Sequence, residues 1–190
     1  MKRIFVAVDI SEEARRKAAV YVENLRRRFS DLRVGWEKPE KLHLTLKFLG
    51  DIDDKKLEKL TVAVSRTAEI SRKFSLRITG TGVFPNPRRA RVVWLGVEDH
   101  AKSLSKLWET LESECEREGF ERESRAFSPH LTIGRLREPE RSGELVTAHL
   151  GENFESEEFE VSEIVIYQSR LLPQGSRYTV VSRHKIAEKR

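Results

Sequence analysis

The sequence predicts an α+β fold of two similar halves, each an antiparallel sheet with helices on its outside, facing one another across a central cleft. Two observations lead there. The stretch Lys41 to Gly50, KLHLTLKFLG, returns in near-copy as SPHLTIGRL at 128–136. Both copies alternate polar and apolar residues, the two-residue period of a half-buried strand. Elsewhere, strand-like and helix-like stretches interleave without the pattern of a single parallel sheet. No linker or low-complexity segment divides the 190 residues, so one bilobal domain spanning 1–190 is expected.

The elements follow in order. Arg3 to Val8 is apolar almost throughout and predicts a central strand. Asp9 or Ser11 can cap a helix in which Ala14, Ala18, Tyr21, Val22, Leu25 and Phe29 recur at helical spacing, with arginines opposite. Leu32 to Trp36 reads as a short strand, and Lys38-Pro39-Glu40 as a turn into the first repeat, which Gly50 ends. Asp51 to Asp54 offers caps for a second helix carrying Leu57, Leu60, Val64 and Ala68. Phe74 to Thr81 and Arg91 to Val97 predict a hairpin whose tip, Phe84 to Arg89, is a basic loop stiffened by Pro85 and Pro87. A third helix, His100 to Phe120, turns Leu104, Leu107, Trp108, Leu111 and Cys115 inward. The second repeat follows, then a short helix near Glu144 to Leu150. Two strands, Phe159 to Ser169 and Tyr178 to Lys185, close the chain through Leu172-Pro173-Gln174-Gly175.

Within each repeat, His and Thr at i and i+2 share one face of the strand, while the intervening residues point into the core. His43 and Thr45 form one such pair, His130 and Thr132 the other. If the strands face each other, two imidazoles and two hydroxyls meet in one cleft, a catalytic constellation. Histidine serves as general acid or base near neutral pH. Threonine hydroxyls can donate to oxygens whose charge grows in a transition state.

Composition narrows the setting. Lys and Arg total 36 against 31 Asp and Glu, a net charge of +5, which suits a polyanionic partner without demanding one. Cys115 stands alone, so no intramolecular disulfide or cysteine-based zinc cluster can form, and a reducing cytoplasm fits. No apolar run approaches a membrane span and no signal-peptide pattern opens the chain. A charged fraction of 35% with one Met and one Cys follows the composition of heat-stable proteins.

The paired HxTx frames, Phe84-Pro85-Asn86-Pro87-Arg88 between them and Tyr167-Gln168-Ser169 near the end together resemble the two-histidine phosphoesterase family, in particular its RNA 2',3'-cyclic phosphodiesterase (2'-5' RNA ligase) branch. That branch extends the motifs to HxTxxF and HxTxxR, which His43–Phe48 and His130–Arg135 both match. The resemblance implies a hydrolase acting on RNA with a 2',3'-cyclic phosphate end. Two histidines on opposite sides of phosphorus allow in-line displacement without metal or cofactor, and a monomer is expected. The resemblance also implies His43 as general acid, His130 as general base and a 2'-phosphate product. Reversible 2'-5' ligation is the alternative within the family, and a non-catalytic RNA-binding module the alternative outside it.

Arg135 offers phosphate a permanent charge and a bidentate fork, but strict alternation turns it away from the cleft unless Gly134 bends the strand. Phe48 has the same parity and two readings, a core residue beside Leu44 and Leu46 or a nucleobase contact. Phe84, Arg88 and Arg89 are candidates for RNA contact, against a solvated hairpin tip. A lone strand histidine is usually structural; the matched pair reverses that. His100, His149 and His184 lie in unrelated frames and receive no role. A zinc site is rejected because neither motif has a neighbouring Cys, His or carboxylate.

Overall fold

The computed structural model describes residues 1–172 and 175–188. Strand β1 (Lys2–Asp9) has buried residues on both faces and lies inside the first sheet, between β3 (His43–Ile52) and β8 (Glu163–Leu172), with β9 (Gly175–Lys185) at the far edge. The second sheet runs β2 (Val34–Trp36), β6 (Leu131–Leu136), β5 (Val92–Glu98), β4 (Phe74–Phe84), β7 (Phe159–Val161). Neighbours within each sheet are antiparallel.

Helix α1 (Glu12–Arg28) starts where Ser11 Oγ accepts the Ala14 N–H at 3.1 Å, and its acidic first turn complements the helix dipole. It buries Ala14, Ala18, Val22 and Leu25 and leaves Arg26–Arg28 in solvent. Although α1 follows β1, it packs beside α4 (Gly143–Gly151) over the second sheet, with Tyr21 touching His149 and Phe154. Helix α2 (Asp54–Ile70), capped by Asp53, packs on β8, β9 and α3 (Ser103–Arg117). The apolar faces read from the sequence are the ones buried, with Tyr21, Phe29, Leu57 and Trp108 only partly so.

Two register shifts shape the cleft. Across β1 and β3, Ala7 faces Thr45 whereas Val6 faces Lys47, so β3 carries one extra residue there. Across β5 and β6, Trp94 faces Thr132 whereas Val93 faces Gly134, the same bulge at the same place in the second motif. Each bulge turns two successive residues inward, Leu46 with Lys47 and Ile133 with Gly134. The sixth motif residue then returns to the face of the His and Thr. Arg135 therefore lines the cleft, against strict alternation, and Phe48 does so too.

Gly134 serves by its size. An added Cβ would meet Trp36 Cε3 at 2.8 Å and Val93 Cγ2 at 3.1 Å. Gly134→Ala is expected to cost about 1–3 kcal/mol of stability through overpacking, read as a lowered denaturant midpoint.

Three expectations need correction. Phe159 to Ser169 is two strands in different sheets: β7 pairs with β4, and the chain crosses at Ser162 to pair as β8 with β1. Both pieces are apolar enough to read as one run. β3 continues past Gly50 to Ile52, because Gly50 adopts φ +67° at a second bulge instead of ending the strand. The Phe84–Arg89 tip is not irregular throughout: Pro87–Arg89 forms a 3-10 turn, with Asn86 capping the Arg89 N–H. Of the closing turn, Pro173 and Gln174 lie outside the described residues.

Candidate active site

The two histidines are held alike. His43 donates from Nδ1 to the Lys41 carbonyl at 2.6 Å, and His130 from Nδ1 to the Ser128 carbonyl at 2.7 Å. In each case the acceptor is the carbonyl two residues earlier. A carbonyl only accepts, so Nδ1 carries the proton and each neutral ring presents a bare Nε2. His43 Nε2 accepts from the Thr45 hydroxyl at 3.0 Å. Aromatic rings fix the planes: Phe5 stacks on His43 at 4.8 Å and Tyr178 meets it edge-on at 5.5 Å, while Phe84 meets His130 edge-on at 4.9 Å.

Both imidazoles line one cavity of about 120 Å3 with Thr45, Thr132 and Arg135. Burial pushes both histidines below the ordinary imidazole value, and their neighbours differ. Asp9 works against that fall at His43, although Arg15 and His130 add to it. At His130 the Arg135 guanidinium adds to it. Asp9 itself accepts from the Tyr167 hydroxyl at 2.7 Å and from Arg183 at 3.1 Å.

Sequence reasoning missed several lining residues. Lys41 lies over the Tyr178 ring at 5.7 Å, and Glu37 sits 3.8 Å from Arg135 Nε. With Phe5 and Ser169 they complete the wall. The only signal for Lys41 was its position two residues before His43; Tyr178 and Glu37 reach the cleft by tertiary packing alone. Phe48 is 54% exposed at the cleft mouth with the Arg3 guanidinium 5.0 Å from its ring, so its reading as a core residue is wrong. Phe84 is half-buried against His130 and Trp94 and lines an adjoining groove of about 980 Å3 that shares Thr45, Phe48 and His130 with the cavity. Arg88 and Arg89 are exposed on their turn and line neither.

The remaining histidines sit elsewhere. His149 is fully buried, accepting from Tyr21 and donating to the Gly82 and Trp94 carbonyls at 3.1 Å. His184 lies between Ser65 and Ser182, and His100 pairs with Glu98 on the surface. Among the described residues, no three His, Cys, Asp or Glu side chains converge as metal ligands, and no helix is long and apolar enough to cross a membrane.

A model of the LigT-like phosphoesterase family matches this chain twice, over residues 8–94 and 95–178. Each match contains one histidine motif. The chain belongs to the LigT-like phosphoesterase family. It is 40% identical over 179 residues to an RNA 2',3'-cyclic phosphodiesterase of Methanothermobacter thermautotrophicus, covering 93% of this chain and 95% of that one. The corresponding enzyme of Thermotoga maritima is 35% identical, with 94% and 92% covered. Among solved structures, TT0787 of Thermus thermophilus superposes with a TM-score of 0.84 at 27% identity, over 99% of this chain and 100% of that one. Escherichia coli LigT complexed with 3'-AMP superposes at 0.75 with 26% identity, over 97% and 98%. As a LigT-like phosphoesterase the chain is an enzyme, and its charge-rich composition fits the thermophilic sources of these relatives.

Proposed function

We propose that this LigT-like phosphoesterase opens the 2',3'-cyclic phosphate at the 3' end of RNA, leaving the phosphate on O2', without a metal. One observation carries the reading: two imidazoles, identically anchored through Nδ1, share one small cavity with two hydroxyls and a guanidinium. The relatives named RNA 2',3'-cyclic phosphodiesterase supply the substrate class. The two halves act as one unit, since each contributes one histidine.

In the proposed reaction His130 Nε2 takes a proton from water as the water oxygen attacks phosphorus. The bond from phosphorus to O3' breaks, and His43, entering as imidazolium, delivers its Nε2 proton to O3'. Thr45, Thr132 and Arg135 hold the non-bridging oxygens as their charge grows. The neighbours favour this division of labour: Asp9 supports the charged form of His43, and Arg135 supports the neutral form of His130.

Incubation with RNA bearing a cyclic phosphate end tests the proposal. The product should resist enzymes specific for 3'-phosphates, and EDTA should leave the rate unchanged. Inactivation by EDTA with rescue by a divalent ion would contradict the metal-free mechanism, and a 3'-phosphate product would exchange the histidine roles. A parallel reaction with a 5'-hydroxyl RNA acceptor measures any 2'-5' ligation.

A bell-shaped pH profile is also expected. kcat/KM should fall at low pH as His130 protonates and at high pH as His43 loses its proton. Since burial lowers both groups, the maximum should lie on the acid side of about 6.5, the ordinary imidazole value. The limbs belong to a coupled pair. In kcat the basic limb should move up, because bound phosphate anion stabilises the His43 imidazolium. A kcat/KM maximum well above 7 would contradict this.

A further inference from the structure

Strict alternation along β3 would send Lys47 to the cleft and Phe48 to the core, the arrangement that hydrophobicity favours. The reverse occurs: Lys47 is 7% exposed and Phe48 54%. The partner that accepts Lys47 is Glu112 of α3, which is fully buried. Lys47 Nζ donates to both Glu112 carboxylate oxygens at 2.8 Å and to the Glu121 carbonyl at 2.9 Å. Glu112 Oε2 also accepts the Glu123 N–H at 2.9 Å. The ammonium group thus has three acceptors.

A buried ion pair is weak as a source of stability, since an apolar pair of similar volume often does as well. What this one does supply is geometry. It occupies the β3 bulge and holds Glu121 and Glu123 at the start of the loop 119–130. Farther along, Phe127 stacks on Trp108 at 5.0 Å with planes 6° apart. The next residue, Ser128, offers the carbonyl that fixes His130 Nδ1.

We propose that Lys47 and Glu112 are positioning residues that lock the bulged register of the first motif, keeping Phe48 at the cleft, and hold the loop that orients His130 in the second. The pair couples the two halves of the site although neither residue lines the cavity that holds the histidines; Lys47 borders the adjoining groove. The kinetic arm of the test rests on the cyclic phosphodiesterase reading; the spectroscopic arm does not.

The variant combining Lys47→Met with Glu112→Leu removes both charges at similar volume and should still unfold cooperatively. Expected are a kcat reduced about ten-fold or more, a KM within about two-fold of wild type, and loss or broadening of the low-field His130 Nδ1–H resonance. Glu112→Gln covers the case in which the double variant does not fold, with the same changes expected in a smaller degree. Wild-type kcat in the folded variant overturns the proposal, as does an unchanged His130 resonance whatever the rate. If the wild type turns over no cyclic phosphate, the reaction reading falls and the His130 resonance still decides the role of the pair.

Discussion

His43→Ala and His130→Ala are each expected to lower kcat on cyclic-phosphate RNA by about 100- to 10,000-fold, the range of a positioned acid or base. The two losses should not multiply in the double variant, because the groups act in one step. KM should move little, since both imidazoles transfer protons while Thr45, Thr132 and Arg135 hold the phosphate. Stability should drop modestly for His43→Ala, which removes stacking on Phe5 and an edge contact with Tyr178 worth about 1 kcal/mol. Cooperative melting of both variants would separate lost chemistry from lost folding. A variant retaining a tenth of wild-type kcat would remove that histidine from the mechanism.

Arg135→Lys is expected to lose about ten-fold or more in kcat/KM, equivalent to about 1.4 kcal/mol of transition-state stabilisation. Lysine keeps the charge but not the planar fork that Glu37 helps to orient at 3.8 Å. Arg135→Ala should cost more and also move the pH profile. Arg135 lowers the His130 pKa, so removing it raises that pKa and shifts the acid limb to higher pH. Arg135→Lys should leave that limb nearly in place. Near-normal kinetics for Arg135→Lys would show that bidentate phosphate contact plays no part.

The site was legible in the sequence as far as its chemistry repeats. His43 and Thr45, like His130 and Thr132, share a strand face by a two-residue period, and the period needs no tertiary information. Arg135 and Phe48 were not settled by that rule, because a bulge is a property of the strand pair rather than of the strand. Val93 and Trp94 are adjacent on β5 yet face Gly134 and Thr132; Gly134 is the one local hint of the extra residue in the second motif, and the first motif, with Lys47 at that position, has none. Lys47 could have been the clue: a lysine between Leu46 and Phe48 reads as solvated until Glu112, far along the chain, is seen to take its charge. Glu37 and Tyr178 reach the cleft through contacts between elements distant in sequence. In the fold, the run from Phe159 hid a change of sheet at Ser162, since both pieces bury apolar residues and only their partners differ.

The central claim is that His43 protonates the departing O3' and His130 activates water. A 3'-deoxynucleoside 2'-phosphate p-nitrophenyl ester tests it most directly, because nitrophenolate departs without needing a proton. His43→Ala should hydrolyse this diester within about ten-fold of the wild-type rate, whereas His130→Ala should remain as impaired as on RNA. Rescue of His130→Ala with no rescue of His43→Ala would contradict the assignment and place the acid in the second motif.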